Sequence, residues 1–134
     1  MDADGVPLAV RTSPANIHDC VPAIQLLDSI PPIAGLPGRP WRRPGILIGD
    51  RAYGSASNIA ETRKRGILPM LARPRTEHGS GLGVLRYVIE RALACFGHFR
   101  RIKLCYERIG SHFQAFHDLA AALLCVTRSV NAEI

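Results

Sequence analysis

Two carboxylates stand where chemistry is possible. Asp50 directly follows the apolar run Gly45-Ile46-Leu47-Ile48-Gly49. Open α/β sheets gather their ligands at the carboxyl ends of such strands. Glu90 lies in a stretch otherwise apolar or basic, with Arg86 four residues before it and Arg91 directly after. On a helical period Arg86, Glu90, Gly97 and Arg101 share one stripe. By itself Glu90 reads as an ion-pair partner of these arginines. Taken with Asp50, it suggests more. Two carboxylates meeting beside a basic surface can hold Mg²⁺ and act on a phosphodiester. Spacing alone does not bring the two together in space.

The other reactive side chains give no comparable set. Cys20, Cys95, Cys105 and Cys125 have no CxxC spacing and read as reduced, mostly buried thiols. The five histidines are scattered, and His112 and His117, five apart, fall on different helix faces. A zinc site needs a tighter ligand set.

The elements that must position Asp50 and Glu90 follow from periodicity and turn residues. Asp2-Ala3-Asp4-Gly5 is a turn, and Val6–Val10 reads as the strand leaving it. Residues 16–19 are expected to cap a helix carrying Val21, Ile24, Leu27 and Ile30. Residues 31–44, with five prolines, three arginines and Trp41, form a loop. A buried strand at 45–49 precedes Asp50, and a helix at 55–64 is capped by Ser55 or Ser57 and closed by Gly66. A second strand spans 67–71, near an edge because of Pro69. A polar loop at 73–83 leads to a helix at 82–99, with Leu85, Ile89, Leu93 and Phe96 on one face. Residues 100–108 are a basic connector. A helix at 111–130 turns Phe113, Phe116, Leu119, Ala120, Leu123 and Leu124 inward. Strand and helix in alternation read as an α/β fold.

Length and charge bound the partners. The chain has 134 residues, 47% hydrophobic, and a formal net charge of +6. That length suits one domain with a real core. No apolar run approaches the roughly 20 residues of a membrane helix, and the acidic start lacks signal-peptide character. A cytoplasmic protein is expected, with no membrane partner. Residues 39–108 hold fifteen basic and five acidic side chains, so the positive excess lies in the middle. Fifteen of the seventeen basic residues are Arg, which forks onto phosphate in two parallel bonds. A polyanion is the expected partner. Candidate contacts are Arg42, Arg43, Arg51, Arg86, Arg100, Arg101 and Lys103. Trp41 offers a face on which a base could stack.

At these residues the chain resembles the carboxyl-terminal part of DDE transposases of bacterial insertion sequences, in the insertion sequence five group. The matching stretches run in order along nearly the whole chain. They are Asp4–Ala9, Ala15–Asp19, Leu47–Tyr53, Arg65–Pro69, Arg86–Arg91, Phe99–Arg101 and Tyr106–Arg108. The resemblance implies an RNase H-like mixed sheet flanked by helices, and phosphoryl transfer with Mg²⁺ or Mn²⁺. It places the family's second catalytic acid on Asp50 and its final Glu on Glu90, both as metal ligands. Arg86 matches the family's Arg, and Tyr53 joins the expected DNA contacts.

The implied partners are DNA, as transposon ends and target, and a second copy or a full-length transposase. When DNA-bound the protein would be nucleoid-associated. The family's Tyr falls on Gly83, so that element is missing; its later basic residue falls on Gly97, which His98, Arg100 or Arg101 would replace only loosely. Its first catalytic Asp lies upstream of residue 2. Residues 1–134 are therefore expected to form a partial catalytic domain, truncated at the amino-terminal end with the first strands missing. Such a chain is expected to be inactive alone, and to expose an apolar sheet edge that invites self-association. The alternative is a non-catalytic DNA-binding or transposase-interacting remnant, or a decayed gene.

Overall fold

A computed structural model of the chain describes residues 1–33, 37–71, 87, 90 and 93–132, with the side chains of 131 and 132 excepted. It forms two compact units, Ala15–Ser80 on one hand and Met1–Pro14 with Gly81–Ile134 on the other. The architecture is α/β. Among the described residues no helix is long and apolar enough to cross a membrane.

The Ala15–Ser80 unit is built on a strand–helix–strand crossover. Strand β1 (Ile46–Gly49) and strand β2 (Leu68–Leu71) pair in parallel, Ile46 opposite Leu68 and Gly49 opposite Leu71. Parallel neighbours need a long connection, and helix α2 (Ala56–Lys64) supplies it. Its start is fixed by Ser55, whose Oγ accepts the Asn58 N–H at 3.2 Å. Its end is fixed by Gly66, at φ +73°, a left-handed conformation that costs glycine little. Helix α1 (Ala23–Asp28) packs against α2, and α2 packs against β2. Leu27, Ile67 and the fully enclosed Thr62 form the centre. Thr62 Oγ1 donates to the Asn58 carbonyl at 2.7 Å, so its polar group is satisfied inside the helix.

Three expectations are corrected here. The helix over 16–30 shrinks to Ala23–Asp28, with Pro22 at its amino end and no side-chain cap. Proline forces the preceding residue out of the helical region, so Val21 lies outside the helix and is exposed. The loop at 31–44 carries one isolated antiparallel bridge, Ile33 with Trp41. Among the described residues the sheet has two parallel strands and is not mixed.

In the other unit the turn at 2–5 forms as expected. Asp2 Oδ1 accepts the N–H groups of Asp4 and Val6 at 3.0 and 2.8 Å, and Gly5 takes φ +79°. The strand at Val6–Val10 does not form. Pro7 has no N–H to offer a ladder, and the segment bonds instead to the long helix α4 (Gly110–Ala132). Gln114 Nε2 donates to the Val10 carbonyl at 3.0 Å, and Cys125 Sγ donates to the Pro7 carbonyl at 3.5 Å.

The basic connector contains a helix, α3 (Arg100–Leu104), which packs on α4 and ends at Cys105 in the left-handed region. Residues 93–97 are helical. The loop at 73–83 and most of the helix expected over 82–99 lie outside the described residues. The inward face of α4 also differs from expectation. Leu119 and Leu123 are 57% and 48% exposed, while Ala120 is buried with Phe113, His117 and Leu124 half-buried beside it. Phe113 meets His117 edge-on at 4.5 Å, and buried Phe96 stacks on it at 6.1 Å. The cysteines are less buried than expected: Cys20, Cys95 and Cys125 are half-buried and Cys105 is exposed.

Candidate active site

Asp50 occupies the carboxyl end of β1, as the sequence predicts, and its side chain is exposed. It begins a short 3-10 turn (Arg51–Tyr53), its Oδ1 accepting the Arg51 N–H at 2.6 Å and its carbonyl accepting the Tyr53 N–H at 3.0 Å. Gly49, just before it, lets the strands approach closely: a Cβ there would lie 2.7 Å from the Leu71 Cδ2 atom. The carboxylate is thus held by its own turn at the end of a strand that is half-buried, with Ile46 exposed, rather than buried as the sequence predicts.

Asn58 anchors the far end of that turn. It is 8% exposed, and its Nδ2 donates to the Cys20 carbonyl at 3.1 Å and to the Tyr53 carbonyl at 3.2 Å. Sequence reading missed this residue, because an Asn early in a helix looks like ordinary capping chemistry. Tyr53 is half-buried. Burial pushes its phenol above the usual tyrosine range, and the negative charges of Asp19 and Asp50, with Cys20, push the same way. Asp19 was missed too, although it ends one of the matching stretches. Arg51 is half-buried beside Asp50.

Glu90 is helical and exposed. It belongs to the second unit, whereas Asp50 belongs to the first. Arg86 lies outside the described residues. On α3, Arg100 and Lys103 are exposed. Arg101 is already engaged, paired with Glu107 at 2.6 Å and lying 5.1 Å over the Phe116 ring. Arg42 and Arg43 are exposed at the other end of β1 from Asp50. Arg43 Nη1 donates to the Arg65 carbonyl at 3.1 Å. Arg65, not singled out from the sequence, forks onto Asp28 at 2.7 and 2.8 Å and reaches Glu61 at 2.9 Å.

Taken one at a time, Asp50 and Glu90 each offer the oxygen donors that a hard divalent cation takes. Both are exposed carboxylates, and Mg²⁺ is commonly held by one or two carboxylates completed by substrate phosphates. Among the described residues no three His, Cys, Asp or Glu side chains gather into a metal cluster.

Comparison with known proteins adds to this geometry. The family model described as the transposase DDE domain matches residues 1–125. A Burkholderia cepacia protein named "Putative transposase for insertion sequence element IS402" is 45% identical over 124 residues. The match covers 92% of this chain and 59% of that protein, so the chain spans about three fifths of its relative's length. No solved structure matches. The chain belongs to the transposase DDE domain family.

Proposed function

We propose that this chain is the catalytic-domain portion of an insertion-sequence transposase of the insertion sequence five group, with an RNase H-like fold. The observation that supports this most is the family match over residues 1–125 together with an exposed Asp50 at the carboxyl end of β1. Asp50 and Glu90 are the acids that would hold Mg²⁺ or Mn²⁺. A bound cation of this kind neutralises the charge that develops on the attacking and leaving oxygens of a phosphodiester displacement. In the reaction water attacks a phosphorus at a transposon end and the 3′ oxygen leaves. The 3′-hydroxyl then attacks a target phosphate, and one phosphodiester replaces another. Arg51, Arg100 and Lys103 hold the DNA backbone, with Tyr53 beside Asp50, and Arg42 and Arg43 contact DNA at the other end of β1. DNA ends, target DNA and a second transposase chain are the partners of this reading.

The test has two arms. Mn²⁺ binding in the presence of DNA, followed by paramagnetic relaxation, should weaken in both Asp50→Asn and Glu90→Gln. Excision of a marked element, driven by the element-encoded protein that contains this chain, should be abolished by either change. Unaltered Mn²⁺ binding and excision in both variants would overturn the assignment.

A further inference from the structure

At the amino ends of the two strands lies an open cleft of about 320 Å³, well away from Asp50. Pro44 and Ile67 line it just where the Leu68 N–H donates to the Gly45 carbonyl at 2.9 Å. Strand β1 is four residues long, so about 13 Å of strand separates this end from the other. The floor is apolar, Leu27 and Ile67, both buried. The walls carry Arg42, Arg43 and Arg65 against a single acid, Asp28.

The charges do not cancel. Arg65 is consumed by Asp28 and Glu61. Arg43 is braced by its bond to the Arg65 carbonyl, which is neutral. Arg42 makes no ion pair among the described residues. Three guanidinium charges thus line the cleft against one carboxylate, Asp28, which Arg65 engages directly and whose charge Arg43 also feels, so the cleft keeps a positive excess centred on Arg42.

Trp41 directly precedes them. Its main chain is fixed by the bridge to Ile33, with bonds of 2.8 and 3.0 Å in the two directions. Its indole is nevertheless 67% exposed. A backbone-anchored aromatic left bare, flanked by Arg39, Arg42 and Arg43, has the two parts of a single-strand platform: a ring for a base and arginines for its phosphate. Trp41 and Arg43 are at most about 7.6 Å apart at Cα, the scale of one nucleotide. A duplex keeps its base faces stacked internally and exposes only those of its two terminal pairs, so it uses the indole far less well than an unpaired strand.

We propose that this cleft and Trp41 form a second nucleic-acid site, which binds an unpaired DNA strand with a backbone phosphate at Arg42 and Arg43 and a base stacked on Trp41. The proposal rests on the reading of the chain as DNA-acting, and it deepens that reading by adding a site remote from Asp50.

Trp41 is the only tryptophan, so its emission reports this site alone. The purified chain in chelator-containing buffer is titrated with a dye-labelled single strand, the matching duplex, and inorganic phosphate. Strand anisotropy is read alongside Trp41 emission. The single strand should quench Trp41 saturably, and more tightly than the duplex or phosphate. Trp41→Ala should weaken strand binding by about five- to 150-fold, the range of one base–aromatic stack. Arg42→Gln with Arg43→Gln should abolish most of the quench and lower the salt slope by about 0.7 to 1.4 log units per log salt. If the strand binds by anisotropy while Trp41 emission stays unchanged, this site is refuted and the DNA-acting reading stands. Quenching as tight with duplex or with phosphate refutes the single-strand assignment. If no DNA binds by anisotropy, the broader reading falls with it.

Discussion

Thr12 and Gln114, 102 positions apart in the chain, are joined by two hydrogen bonds to one oxygen. The Thr12 N–H and Oγ1 both donate to Gln114 Oε1, at 2.7 and 2.9 Å. The other end of the same amide donates to the Val10 carbonyl and to Asp118. One side chain thus ties the amino-terminal segment to α4. Gln114→Ala removes these bonds from a partly buried place and should destabilise this unit by about 1–3 kcal/mol. Urea denaturation of the whole chain checks it. Gln114→Glu keeps the acceptor for Thr12 but sets a second carboxylate oxygen against the Val10 carbonyl and the Asp118 carboxylate, and should destabilise at least as much as Ala at neutral pH.

This clamp also shows where sequence reading stopped. Val6–Val10 has strand composition, but a strand needs a ladder partner, and the polar side chains of α4 took that role. Nothing in residues 6–10 announces Gln114. By contrast β1, α2, β2 and the place of Asp50 were legible, because an apolar run, a Ser cap and a Gly stop are local signals. The burial of α4 was half legible. That helix carries two stripes at helical spacing, 113–117–120–124, apolar but for His117, and the wholly apolar 119–123–126–130, and periodicity cannot say which one is covered.

The ion-pair trio Asp28–Arg65–Glu61 gives an acid-side prediction. The Arg65 guanidinium holds the Asp28 carboxyl below its usual range, and Lys64 with Arg65 does the same for Glu61. The partners in turn raise Arg65. A depressed carboxylate contributes stability that is present above its unfolded value, 3.8 for Asp and 4.5 for Glu, and is lost as pH falls through the folded value. The urea midpoint should therefore drop on acidification below that range. In Arg65→Met the drop should be shallower. An equally steep drop would show that these pairs contribute nothing, as exposed pairs sometimes do.

Asn58 offers a test of how the Asp50 turn is held. Asn58→Ala leaves the Cys20 and Tyr53 carbonyls without their donor. A loss of about 1–3 kcal/mol is expected. Because the Tyr53 carbonyl ends the turn that Asp50 begins, Mn²⁺ binding in the presence of DNA should weaken as well. Asn58→Asp keeps the size but cannot donate from the same position when ionised, so it should resemble Ala rather than the parent. Recovery of full stability in Asn58→Asp would show that shape, not donation, is what matters.

The Tyr53 phenol reads out the charge at Asp50 without any catalytic assay. Burial raises it first, and the nearby carboxylates of Asp19 and Asp50, with Cys20, add to the rise. A group whose folded pKa is raised contributes stability that is whole below its unfolded value, 10.0 here, and is lost as pH climbs through the folded one. Alkaline unfolding should therefore set in above that value, and Tyr53→Phe should delay it. In a spectrophotometric titration, Asp50→Asn and Asp19→Asn should each bring the most alkaline tyrosine transition back toward the ordinary range. Asn retains the side-chain oxygen that accepts the Arg51 N–H, so the shift would report lost charge rather than a lost turn. A transition that Asp50→Asn leaves in place would mean that Tyr53 does not feel this carboxylate, and would remove Tyr53 from the candidate site.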